Sequence, residues 1–177
     1  VADPGGVAEV SAEVTNEVVT RQLAAVNAHD PDAVVALIAP DAVCETPTLP
    51  GGEAVGPGPL RADYAALFRA FPDLVVEELD RLLSPDGGSV AILWRARATH
   101  AGPLDPPGFA PTGVRGQSRG MSHTEVRGGR IVHFRLYYDL TDLGRQIGAV
   151  PPVGSAAERV SVMLQRAKAR SLRRRAR

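Results

Sequence analysis

Four stretches decide how this chain folds: WRARATHAG (Trp94–Gly102), APTG (Ala110–Gly113), EVRGGRIVHFRLYYDL (Glu125–Leu140) and GRQIG (Gly144–Gly148). Successive side chains of a strand point to opposite faces. In Arg130–Asp139 this puts Val132, Phe134, Leu136 and Tyr138 on an apolar face. Ile131, His133, Arg135, Tyr137 and Asp139 fall on the other. The same parity in Ser89–His100 groups Ile92, Trp94, Ala96, Ala98 and His100 inward and leaves Leu93, Arg95, Arg97 and Thr99 outward. In Gln117–Arg127, Val126 sets Ser122 and Thr124 inward and His123 and Glu125 outward. Leu74–Leu83 is a fourth strand. Asp86-Gly87-Gly88 and Arg127-Gly128-Gly129 have the glycines that hairpin turns with positive φ require.

Upstream the period changes to that of a helix. Val14, Val18, Val19, Leu23 and Val26 trace one amphipathic helix up to Asn27-Ala28-His29-Asp30. Asp30-Pro31 is an N-cap followed by a first-turn proline; it opens a short helix through Val34, Leu37 and Ile38 that stops before Pro40. Ala42–Thr46 is a short strand, and Pro47–Pro59 is a loop by composition. Leu60–Phe71 is a third helix, carrying Tyr64, Leu67, Phe68 and Phe71, which Pro72-Asp73 ends. Three helices followed by a meander predict an α+β fold with helices on one face of a bent antiparallel sheet.

The four stretches resemble the second half of SnoaL-like polyketide and ester cyclases. The pieces that carry the resemblance are Thr99-His100-Ala101-Gly102, Pro111-Thr112-Gly113, Gly128-Gly129-Arg130-Ile131, Asp139 and Gln146-Ile147-Gly148. The resemblance implies the cone-shaped α+β fold of nuclear-transport-factor-2-like proteins, a strongly curved sheet wrapped around N-terminal helices to enclose a pocket. It also implies cofactor-free proton transfer that cyclises a hydrophobic small molecule. One position departs from the family pattern. Where characterised relatives carry a catalytic Asp just after an Arg, this chain has Arg135-Leu136, and a Leu moves no proton. Ser122 stands where some cyclases carry a catalytic His; His123 would recover that place only through a shift of register.

Length and composition set the outer limits. With 177 residues, 44% of them hydrophobic, the chain suits one domain with a real core. The expected organisation is a flexible leader at 1–10, the SnoaL-like domain at 11–150 and a basic helical extension at 151–177. The leader lacks the basic start and apolar core of a signal peptide, so the expectation is a soluble cytoplasmic protein. A single cysteine, Cys44, allows no internal disulfide, and no Cys/His spacing suggests a metal site. Neither metal nor cofactor is expected. Lys and Arg balance Asp and Glu at 20 each, yet the last residues from Ser155 hold eight basic side chains and one acidic. That tail, with a modest apolar stripe of Ala157, Val160, Met163, Leu164 and Ala167, is open to two readings. It is a solvated or self-docking helix, or it contacts nucleic acid or an anionic membrane.

Candidate site residues follow from parity and chemistry. For proton transfer they are His100 and Glu45. His100 ends an inward set where a pocket mouth is expected, and imidazoles titrate near neutral pH; as the alternative, its ring bonds to the following turn. Glu45 is a general acid or base if buried beneath the helices, where its pKa would rise, or otherwise a rim carboxylate. Trp94, Ser122 and Tyr138 would orient a ligand, Phe134, Leu136 and Phe68 would wall it in, and Tyr64 with Phe68 would roof it; the alternative for each is plain core. Asp139 is expected to cap the following helical turn. The function implied is cyclisation of an oxygenated hydrophobic molecule such as a polyketide intermediate, by aldol closure or epoxide opening. The alternative is a domain of the same fold that binds a lipophilic ligand without transforming it, or serves interaction. A homodimer through the outward sheet face is expected, with Arg95, Arg97, His133, Arg135 and Tyr137 near the interface.

Overall fold

The helical stripe at the start of the chain forms α1 (Ala12–Asn27), burying Thr15, Val18, Val19, Gln22, Ala25 and Val26. The computed structural model describes residues 12–105 and 108–175; the leader expected at 1–10 lies outside them. Two polar side chains tie α1 to the sheet. Thr15 Oγ1 donates to the Gly87 carbonyl over 2.7 Å, and the Asn27 amide exchanges two hydrogen bonds with the backbone of Val76.

Asp30 caps α2 (Pro31–Val35) as expected, its Oδ1 accepting from Ala33 N at 2.9 Å. The helix is shorter than its apolar pattern suggests. Ile38 leaves it to begin β1 (Ile38–Glu45), where it pairs with Ile131. That pairing buries two large side chains at once, worth about 2 kcal/mol each, more than an extra helical residue contributes. Pro40, which has no N–H to give, falls within the register shift between Ile38 and Val43.

The loop expected at Pro47–Pro59 contains β2 (Glu53–Val55), paired antiparallel to β1, and the start of α3 (Pro57–Ala70) with proline in its first turn. Strands β3 (Val75–Leu83), β4 (Ser89–Thr99), β5 (Arg115–Arg127) and β6 (Arg130–Tyr138) complete one unclosed sheet in the order β2-β1-β6-β5-β4-β3. Every neighbouring pair is antiparallel except β1 and β6, which run parallel; the sheet is therefore mixed. α4 (Leu140–Gln146) and α5 (Ala156–Arg175) follow.

Parity holds along β4 and β5, whose pairing runs without a break from Ser89↔Glu125 to Thr99↔Arg115. It fails at one place. Ile131, grouped with the outward residues, is fully buried, because a shift between Glu125 and Val126 turns the start of β6 over.

The core has two clusters. The larger joins α1, α2 and α3 to Cys44, Val126, Ile131 and Phe134; the smaller holds Val19, Val90, Ile92 and Trp94. Val76, Ala96 and Leu136 pack against both and stay only partly buried. α5 carries Val160, Met163 and Leu164 exposed to solvent, and its opposite side, with Val162 and Gln165, lines a hollow of about 400 Å³ shared with Arg145 and Val150. Among the described residues no helix is long and apolar enough to cross a membrane.

Candidate active site

The inward sheet face carries the residues that parity assigns to it. Trp94 and Phe134 are buried, while Ala96, Ala98, Ser122, Leu136 and Tyr138 keep part of their surface accessible. Ser122 lies between Ile92 and Leu136, and Tyr138 lies across Gly120 from Trp94, their rings 6.1 Å apart. Gly120 is required here: a Cβ would strike the Trp94 indole and the Tyr137 carbonyl. Tyr64 and Phe68 of α3, 5.6 Å apart and both buried, belong to the same core cluster as Phe134, with Leu136 packed against it. His123 stays on the outer face, so no shift of register brings it inward.

His100 is not at a mouth. It is fully buried, its ring 5.3 Å from Phe71, with Nδ1 3.3 Å from Thr112 Oγ1 and no partner for Nε2. Its backbone closes a joint: His100 N donates to Val114 O, and Gly113 N donates to His100 O. Next to it, the N–H groups of Ala101 and Gly102 both donate to Ala70 O at the end of α3.

Glu45 corrects a second expectation. It lies on the outer face rather than beneath the helices, because Cys44 takes the inward place opposite Phe134. Glu45 Oε1 accepts from His133 Nε2 at 2.6 Å and from Arg135 Nε at 3.0 Å. These bonds, that from His133 foremost, hold its carboxyl below the ordinary 4.5, the reverse of the rise that burial would cause. Arg135 extends the network, donating to Glu125 Oε1 at 2.8 Å, His123 Nδ1 at 3.0 Å and His133 Nδ1 at 2.8 Å. An arginine only donates, so both imidazoles accept at Nδ1.

Glu45, Glu125 and Asp73 all have folded-state values below their ordinary 4.5, 4.5 and 3.8. They therefore stabilise the fold above those ordinary values and lose that contribution as pH falls through the lowered ones. Denaturation midpoints measured between neutral pH and pH ~3 are expected to fall on the acid side. The drop should shrink in Arg135→Leu and in high salt, since all three carboxylates keep part of their surface open to solvent.

One half-buried carboxylate on α3 is not among the candidates that parity and the family pattern single out. Asp63 of α3 is half-buried beside Tyr64. Its Oδ2 accepts from Thr48 Oγ1 at 2.8 Å, and Thr48 lies 2.8 Å from Thr46 Oγ1. Since Thr48 has one proton and gives it to Asp63, Thr46 must donate to Thr48. Burial raises the Asp63 carboxyl above its ordinary 3.8, against the opposing bond from Thr48. Tyr138 feels the same charge: burial, reinforced by Asp63, pushes its phenol up to about 12. Tyr64 is pushed up by burial first and the Asp63 charge second. A signal for Asp63 was present. Leu60, Asp63, Tyr64 and Leu67 stand at helical spacing on one side of α3, so the carboxylate interrupts an apolar stripe.

The family profile described as a SnoaL-like domain matches residues 19–134, well over half of the chain. The chain belongs to the SnoaL-like family. Among solved structures, the SnoaL-like chain resembles AclR, a candidate hydroxylase of Streptomyces galilaeus, at 22% identity, covering 91% of this chain and 98% of that one with a TM-score of 0.69. It resembles equally a candidate SnoaL-like polyketide cyclase of Jannaschia sp. CCS1, at 19% identity, 85% and 99% coverage and TM-score 0.69. SalBIII, an epoxide hydrolase/cyclase-like enzyme with a role in pyran ring formation in the polyether salinomycin, aligns at 24% identity, 73% and 94% coverage and TM-score 0.60. At these identities the likeness is one of fold. Among curated proteins, none matches the sequence.

The motifs that carry the SnoaL-like resemblance do structural work in this chain. Thr99-His100-Ala101-Gly102 and Pro111-Thr112-Gly113 close on each other through the bonds at His100 and against the end of α3. Asp139 caps α4, its Oδ1 accepting from Asp142 N at 2.8 Å. Gln146 fills the edge of β5 that β6 does not reach: its Oε1 accepts from Gln117 N and its Nε2 donates to Gln117 O, both at 2.9 Å.

Proposed function

We propose that this SnoaL-like domain binds a hydrophobic, oxygenated small molecule on its inward sheet face and cyclises it by proton transfer without a cofactor. The observation that carries this reading is the seam between the two core clusters, where Leu136 and Ala96 stay accessible beside the Ser122 and Tyr138 hydroxyls. An apolar wall with a few convergent hydroxyls suits a polyketide-like ring system with carbonyl oxygens. Low water content there would favour ring closure over hydrolysis. Polyketide cyclase and epoxide hydrolase/cyclase-like relatives share the fold, so aldol closure and epoxide opening are both consistent with it. Leu136 favours the second reading, binding without turnover, since the family's acid is missing from β6.

The lone tryptophan offers a direct test. Trp94 lines the seam, so titrating the protein with a fused-ring aromatic ketone such as anthraquinone is expected to quench its emission saturably. Ser122→Phe, which fills the seam, should abolish the effect. An emission spectrum of the wild-type protein that ignores the ketone would defeat the reading. For assembly, the outer face offers exposed Leu93, Met121 and Tyr137 in adjacent strands; we propose that a second copy pairs there.

A further inference from the structure

We infer that Asp63, anchored by Thr48 and set beside the phenol of Tyr138, is the proton-transfer group of the inward site, acting on a ketone with a C–H bond next to its carbonyl. The inference rests on the ligand-binding reading above and replaces the acid that Leu136 lacks.

Three observations converge on it. The first is the company Asp63 keeps. The carboxylates of Asp32, Glu45, Glu77, Glu78 and Glu125 each meet an arginine, and those of Asp30, Asp86 and Asp139 cap turns. Asp63 does neither. Among the described residues its one hydrogen-bond partner is Thr48, on Oδ2, which leaves Oδ1 open. The second is position. Asp63 belongs to α3 while Tyr138 ends the last strand, so the two groups come from different elements, and Thr48 holds Asp63 by Oδ2. The third is environment. A carboxyl raised by burial is a stronger base once ionised, and the unfavourable burial is a cost that structure alone does not explain.

The chemistry balances without an added reagent. The Asp63 carboxylate takes the proton beside the ketone, and the C–H electron pair delocalises onto the carbonyl oxygen, which the Tyr138 O–H hydrogen-bonds. Tyr138, with its phenol raised to about 12, stays protonated and serves as a donor. The enolate carbon attacks a second carbonyl carbon of the same molecule, forming the ring C–C bond. Asp63 then returns its proton to the alkoxide, leaving the protein as it began.

Because the natural substrate is unidentified, the test uses nitrobenzisoxazole, a flat aromatic that opens when a base removes its ring C–H. The C–H electrons form a nitrile, the N–O bond breaks, and the coloured cyanonitrophenolate appears. Wild type is expected to accelerate the opening beyond an equal concentration of acetate. Asp63→Asn should lose at least about tenfold of that rate while its Trp94 emission is still quenched by the compound. Glu45→Gln, on the far side of the sheet, should leave the rate unchanged. A second measurement is independent of turnover. A folded-state pKa above the unfolded one means that Asp63 costs stability as pH rises through it, so Asp63→Asn should unfold no earlier than wild type at neutral pH. Quenching without acceleration, or an unchanged rate in Asp63→Asn, overturns the assignment of Asp63 alone. Absence of any quenching in wild type removes the ligand-binding reading and the inference together.

Discussion

Gly102→Ala is expected to destabilise the protein by about 3–5 kcal/mol, close to the whole stability of a small domain. The added Cβ would fall on the carbonyl oxygen of Arg69, in the last turn of α3, and backbone cannot swing aside as a flexible side chain does. Moving the turn away would stretch both hydrogen bonds to Ala70 O, from Ala101 N at 3.1 Å and Gly102 N at 3.0 Å. The clash contributes about 1–3 kcal/mol and each weakened bond about 1 kcal/mol. Urea denaturation followed by Trp94 emission measures the loss. A midpoint within error of wild type would show that the turn and α3 are not in the close contact described.

The second large effect concerns His100. Removing its ring in His100→Ala leaves a void against Phe71 and deletes the bond to Thr112, a cost of about 2–4 kcal/mol. Some of that is offset because the unpartnered Nε2 disappears as well. His100→Phe separates the roles of the imidazole. It keeps a ring beside Phe71 and buries no orphaned nitrogen, so its stability should lie within about 1 kcal/mol of wild type. If His100 holds the joint, His100→Phe also keeps the nitrobenzisoxazole rate. A tenfold loss of rate in a stably folded His100→Phe would instead return the imidazole to proton transfer, by way of a ring that opens toward the inward face.

Much of the sheet was legible because a half-buried strand writes its two faces into alternate residues. Ile92, Trp94, Ala96 and His100, or Phe134, Leu136 and Tyr138, need only the period of two to be sorted. Ile38 and Ile131 were misread for one reason. Each sits where the ladder shifts register, and a shift is made by the partner strand, which local pattern does not contain. β2 is three residues long and is held by pairing with β1 rather than by its own sequence.

The site was legible on its strands and obscure on α3. Glu45 was within reach of the same parity argument: once Cys44 is taken as core, its neighbour must face out. Asp63 was harder to see because a carboxylate on a helix surface is ordinary. Only its place within the stripe of Leu60, Tyr64 and Leu67 marks it, and only the tertiary arrangement brings Thr48 and Tyr138 to it. The family motifs drew attention to His100 because they are the most recognisable residues. In this chain they are recognisable for architecture, which constrains sequence as strongly as chemistry does.

Gln146 has a bearing on how the molecule avoids its own kind. Past Gly120, β5 continues along β4 after β6 has ended, and its other side offers bare amide and carbonyl groups at Gln117. Unfilled strand borders of this sort recruit strands from other chains. By satisfying both groups of Gln117 with one side-chain amide, the end of α4 works as a cover strip. The last motif of the chain thus shields an open strand edge as well as completing the fold.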